Sequence, residues 1–139
     1  MNAVDTNVYV YALDADEAAK QAKALELLDQ LALHRADTIL IWQVAAEFLN
    51  QLRKWESQAK LTAAEVEAAF QRALAMFSVR IPTEAVFQIS FELRARFSLS
   101  HWDSMLLAAC KEAGVTTLYS EDLDPRTDYD GLSVVNPFA

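Results

Sequence analysis

The chain has 139 residues, is 53% hydrophobic and 23% charged, and contains only two glycines and three prolines. That composition fits one domain over residues 1–139 with a sizeable core and excludes a disordered or low-complexity protein. A net charge of −8 counts against a basic nucleic-acid-binding surface, although divalent cations reverse the local field wherever carboxylates converge. The single cysteine, Cys110, excludes an internal disulfide and suits a reducing compartment. No apolar run is long enough for a bilayer, and no basic, apolar leader precedes Asp5, so the expected location is the cytoplasm, away from membranes.

Apolar runs alternate with helical patterns. "AVDT" at the start reads as a strand ending on Asp5, and "NVYVYAL" as a short helix or turn. Residues 14–33 read as a helix, with Asp14 and Glu17 spaced as a capping box. "TILIW" (38–42) is rich in β formers and fits a second strand. Val44, Ala45, Phe48, Leu49, Leu52 and Trp55 then form one helical stripe, and Ala63, Val66, Phe70, Leu74 and Phe77 another. The "ESQAK" between them predicts a helical hairpin. "SVRI" predicts a third strand closed by Pro82, which suits the first turn of the next helix, over 83–97. "HWDSMLLAACKEAG" predicts another helix, capped by Ser100 and ended by Gly114. "TTLY" and "LSVV" supply a fourth and a fifth strand. The alternation predicts an α/β fold with a mostly parallel sheet.

In such sheets the functional crevice lies beyond the carboxyl ends of the strands. Asp5 ends the first strand, Asp122 follows "TTLY" by three residues, and Glu47 follows "TILIW" by five. Asp103 occupies the first turn of a helix whose N-terminus points to the same edge. Four acids from distant segments are therefore expected at one rim. Together they repel one another, and a hard divalent cation with oxygen ligands, Mg²⁺ or Mn²⁺, resolves the repulsion. The chemistry this supports is metal-assisted attack of water on a phosphodiester. Each acid also has a plainer reading: Asp5 as a helix cap, Asp103 as a partner of the helix dipole, Glu47 as an exposed helical residue, Asp122 as a turn former. Apolar neighbours all round its helix predict buried surroundings for Asp103.

Among the other polar and aromatic residues, His34 and His101 read as structural or solvated and Cys110 as core. Trp42, Trp55, Tyr9 and Tyr11 have the chemistry to stack on RNA bases. The two tryptophans fit core positions better, and the tyrosines equally fit a dimer interface. Arg53, Lys54, Arg94 and Arg96, near helix ends, are the candidate cations for a substrate backbone.

"AVDTNV", Glu47 in "AAEFLNQL", "HWDSMLLAAC", "TLYSEDL" and the closing "GLSVVNPF" resemble the PIN domain, most closely the VapC-like toxins of type II toxin–antitoxin systems. The resemblance spans nearly the whole chain and implies a three-layer fold with helices flanking the mostly parallel sheet. It implies metal-binding, catalytic acids at Asp5, Glu47, Asp103 and Asp122; the chemistry then assigns Asp5, Asp103 and Asp122 to the metal and leaves Glu47 to complete its shell or to orient the attacking water as a base. Asn7 and Ser120 match the small polar positions beside the first and last acids, and Glu121 matches a variable one. It further implies Mg²⁺-dependent (or Mn²⁺-dependent) endoribonuclease activity, a homodimer, and a cognate antitoxin that occupies the site; the rim acids and the net charge of −8 predict that an antitoxin Arg or Lys pairs with Asp5 or Asp103.

The rival readings are a PIN-like scaffold that binds metal or RNA without cutting, a receiver-like signalling domain and a haloacid-dehalogenase-type phosphatase. The receiver reading needs a phosphorylatable Asp after a central strand and a late Lys, and the chain offers neither. The phosphatase reading needs a second acid where Asn7 stands.

Overall fold

The computed structural model describes residues 1–139. The first half of the chain runs β1 (Asn2–Val4), α1 (Thr6–Leu13), α2 (Ala18–Ala32), β2 (Thr38–Ile41), α3 (Trp42–Ser57) and α4 (Ala63–Met76). The second runs β3 (Ser78–Arg80), α5 (Ala85–Arg96), α6 (His101–Glu112), β4 (Thr117–Tyr119), β5 (Asp128–Tyr129) and β6 (Leu132–Val135). The six strands form one sheet in the order β3-β2-β1-β4-β6-β5. All neighbouring pairs are parallel except the β5–β6 hairpin. The expected α/β architecture, a mostly parallel sheet with flanking helices, is therefore the one observed.

The sheet order places the functional rim. From β1 the chain builds outward to β2 and β3, then returns to lay β4 on the other side of β1. The reversal between β1 and β4 is a topological switch point, where connections leave in opposite directions and a crevice opens at the strand ends. Asp5 leaves β1 there, its N–H still donating to the Tyr119 carbonyl of β4 at 2.9 Å. Ser120 likewise leaves β4 with its N–H on Val135 O of β6, at 3.0 Å.

The core forms where β1, β2, β4 and β6 meet the apolar stripes of the helices. Ala3, Val4, Leu40, Ile41, Leu118 and Val134 from the strands are buried with Val8, Phe48, Leu52, Leu93 and Leu107 from the helices. Cys110 is buried among them, and burial pushes its thiol well above the usual range. The α3–α4 hairpin forms as its stripes predict, with Phe48 and Phe70 ring centroids 6.4 Å apart. No helix is long and apolar enough to cross a membrane.

Several local expectations need correction. Asp14 does not form a capping box with Glu17; it caps a separate 3₁₀ turn through Asp16 N–H, and Glu17 makes no side-chain cap. The capping box lies instead at Thr62 and Glu65, at the start of α4. Pro82 stands ahead of α5, because a turn at Thr83–Glu84 precedes the first helical residue. The acidic stretch after β4 contains an unforeseen strand, β5, joined to β6 through Asp130 (φ +59°) and Gly131 (φ +92°). Two consecutive positive φ values are the signature of the two-residue turn whose twist matches a hairpin. Gly114 (φ +77°) ends α6 as expected.

Candidate active site

Asp5 is both a helix cap and the centre of a polar cluster. Its Oδ1 accepts from Thr6 N–H at 2.7 Å, and its Oδ2 accepts from the Ser120 hydroxyl at 2.7 Å. Ser120 is fully buried, and its Oγ accepts in turn from Asp122 N–H at 3.1 Å. Asn7 Nδ2 closes the loop by donating to Asp122 Oδ2 at 2.9 Å. On the other side, Thr6 Oγ1 donates to Glu47 Oε2 at 2.8 Å, and Gln43 Nε2 donates to Glu47 Oε1 at 3.0 Å. One relay of small polar groups thus ties the ends of β1 and β4 to the first turns of α3.

Asp5 is 7% exposed and forms no ion pair. Burial pushes its carboxyl up to about 6, with the Asp122 and Glu47 charges adding to the rise and the Ser120 and Thr6 hydrogen bonds holding it back. Glu47 and Asp122 are exposed and Asp103 half-buried. No ion pair of the structure involves any of these four acids.

Asp103 stands apart from the relay. Ser100 Oγ caps its backbone N–H at 3.2 Å, and its link to the cluster runs through the adjacent Trp102 carbonyl, which accepts from Gln43 Nε2 at 3.3 Å. Its helix is not apolar all round: His101 and Trp102 beside it are exposed, so the predicted burial holds only from Ser104 onward. No three Asp, Glu, His or Cys side chains converge closely enough to make a ready-formed cation cage. The donor set nevertheless suits a hard cation. It is all oxygen, lacks a compensating base, and includes Asn7 Oδ1, buried beside Asp122 without a hydrogen-bond partner.

The remaining candidates divide. Arg53 and Lys54 are exposed on α3 beyond Glu47, Arg53 by roughly 9 Å of helix rise. Arg96 is tied to Asp130 at 3.2 Å and lies over the Phe97 ring, so it is a structural cation; Arg94, also in the last turn of α5, is exposed. Tyr9 is buried against Phe48, which pushes its phenol well above the usual range, and neither stacks on a substrate nor lines an interface. The Tyr11 hydroxyl donates to Glu121 at 2.7 Å and accepts from Lys20 at 3.1 Å. Trp55 packs on the core, whereas Trp42 does not: it is 53% exposed, because the first residue of α3 leaves the strand end facing the crevice. Sequence reasoning missed Thr6 and Gln43. Gln43 stands four residues before Glu47, the spacing that puts two helical side chains on one face.

The strand order weakens the receiver-like alternative, since β3 lies at the sheet edge and not at its centre. Two solved structures share the architecture. VapBC2 from Rickettsia felis, bound to a DNA fragment from its promoter, superposes with a TM-score of 0.72 at 15% identity, covering 97% of each chain. A toxin–antitoxin complex from Klebsiella pneumoniae gives a TM-score of 0.70 at 18% identity, covering 99% of this chain and 98% of that one. At such identities the likeness establishes the fold. No curated protein matches the sequence. The PIN domain family model matches residues 3–128, and the chain belongs to the PIN domain family.

Proposed function

We propose that this protein is a Mg²⁺-dependent endoribonuclease, folded as one domain over residues 1–139 and acting as the toxin of a type II toxin–antitoxin pair. The observation that carries the reading is the relay joining Asp5, Ser120, Asp122, Asn7, Thr6 and Glu47 at the switch point with no basic side chain to neutralise it. Membership of the PIN family and likeness to toxin–antitoxin structures support it.

Asp5, Asp103 and Asp122 are the carboxylates that would hold Mg²⁺ or Mn²⁺, which when bound supplies an activated water and a Lewis acid for the phosphoryl oxygens. Ser120 and Thr6 fix the Asp5 carboxylate, and Asn7 orients Asp122. Glu47, held by Thr6 and Gln43, accepts the proton of the attacking water. Water oxygen bonds to phosphorus, the bond to the leaving ribose oxygen breaks, and that oxygen ends protonated. Arg53, Lys54 and Arg94 draw in the RNA backbone. The exposed Phe91 on α5 supplies an apolar contact for a homodimer, and an antitoxin Arg or Lys pairs with the rim acids, in a cytoplasmic setting.

The test compares wild type with Asp103→Asn on a mixed RNA pool, with Mg²⁺ and with excess chelator. Cleavage by the wild type alone, abolished by chelator, is expected. Equal cleavage by both proteins, or none by either, overturns the reading.

A further inference from the structure

Two tryptophans flank the candidate site, and burial explains neither. Trp42 opens α3 and is 53% exposed; Trp102 lies in the first turn of α6, next to Asp103, and is 62% exposed. Gln43 links the two helix starts, its amide donating to Glu47 and to the Trp102 carbonyl. The starts of α3 and α6, which carry the two tryptophans, are therefore tied to each other beside the acids. His101 meets Trp102 edge-on, with ring centroids 4.6 Å apart.

Between them opens a cavity of about 710 Å³, with Trp42, Trp102, Gln43 and Glu47 in its wall. Its volume is in the range of small-molecule sites and exceeds that of a nucleobase with its ribose. It shares Glu47 with the candidate site, so the two are continuous. Its charge selects what enters. The one basic side chain in the wall, Arg80, is engaged by Glu112 at 3.4 Å, while Glu47 and Glu84 carry no counter-charge. A phosphate is repelled there; a neutral aromatic ring with donor groups on its edge is not. Gln43, Asn50 and Thr83 in the wall supply polar atoms for such an edge.

We propose that this cavity is a nucleobase site. One unpaired base next to the scissile phosphodiester packs against Trp42 and Trp102 while its phosphate stays at the carboxylates. The inference rests on the nuclease reading and adds to it the side chains that hold a base beside the cut; a base held in duplex cannot reach the cavity. Aromatic stacking of this kind tolerates any base and depends on the ring being free.

The test uses the Asp103→Asn protein with Mg²⁺ and a short fluorescently labelled RNA of mixed sequence. Its affinity is compared with that of the same RNA carrying abasic positions and of its duplex. The intact single strand is expected to bind about tenfold more tightly than either. Trp102→Ala should bring the single strand down to the abasic level, and Trp102→Phe should restore most of the difference. Equal affinity for intact and abasic strands, or no loss in Trp102→Ala, overturns the proposal. So does a protein-concentration-dependent shift of tryptophan emission without RNA, abolished by Trp102→Ala, because the rings are then covered by a second copy of the chain. The two readings fail separately. Wild type that cleaves no RNA while base-dependent binding persists sinks the nuclease; cleavage with no Trp102 dependence in KM or affinity sinks the base site.

Discussion

Glu121 and Asp122 are neighbours in sequence and opposites in surroundings. Glu121 is engaged by the Tyr11 hydroxyl and by Lys20 at 3.0 Å, contacts that hold its carboxyl below the usual range despite some burial. Lys20 also lies 4.6 Å from the Tyr11 ring centroid and over Phe138, so the group pins α1, α2 and the C-terminal tail together. Asp122 points the other way, takes only the Asn7 amide, and meets no cation. The same division runs through the molecule. Glu112, Glu121, Asp124 and Asp130 each pair with Lys or Arg, whereas Asp5, Glu47, Asp103 and Asp122 at the strand ends pair with none. Glu112, Glu121 and Asp130 tie elements together, whereas at Asp5 the unpaired Asp122 and Glu47 charges add to the rise of a buried carboxyl.

The largest expected effect exploits the adjacent pair. Asp122→Asn should lower the Mg²⁺-dependent cleavage rate by at least about 100-fold, the scale for losing a group that stabilises developing charge. Glu121→Gln, one residue away, should stay within a few-fold. Initial rates on one RNA at saturating Mg²⁺ decide it, and equal losses would erase the distinction between the two sets.

A second effect has the opposite sign for stability. Asp5 is ionised at neutral pH in a place where burial lifts its carboxyl to about 6, so its charge costs the folded state about 1–3 kcal/mol. Asn at position 5 keeps one oxygen to accept from Thr6 N–H and places an amide NH2 against Ser120 Oγ, which can turn to accept from it, while the charge is removed. Asp5→Asn should therefore raise the Tm of the metal-free protein at pH 7 by several degrees while abolishing cleavage, a trade of stability against function. An unchanged or lowered Tm in thermal unfolding would mean that the buried charge is not a source of strain.

These contrasts were only partly legible in the sequence. Short apolar runs rich in β formers located β1, β2, β3, β4 and β6, and helical stripes located the long helices, because the helices bury one face in the core. The strand-end acids followed from parallel topology alone. The relay did not, since Thr6 and Gln43 are polar residues with no periodic signature, and their partners lie 41 and 59 residues away. Trp42 was misplaced because its helical stripe begins two residues later, at Val44; the first residue of a helix leaving a strand end follows the crevice and not the stripe. β5 escaped because its two residues carry no pattern, although the Asp130–Gly131 pair is itself a hairpin signal.

The smallest effect belongs to the paired set and sharpens the comparison from its other side. Asp130 Oδ2 accepts from Lys111 at 3.0 Å and from Arg96 at 3.2 Å, tying the β5–β6 turn to α5 and α6. Those hydrogen bonds hold its carboxyl below the ordinary value of 3.8. A carboxyl depressed in the folded state adds stability at every pH above its ordinary value and loses it as pH falls through the lower folded-state value. Asn tolerates the positive φ at this position, so Asp130→Asn removes the charge and spares the turn. Its Tm should lie slightly below wild type at pH 7, and the gap should close as pH drops below about 3.8. The gap should also shrink in high salt, because all three side chains are at least partly exposed and their attraction is screened. A gap that persists in acid would assign the effect to the turn geometry and remove Asp130 from the acids that hold the fold through charge.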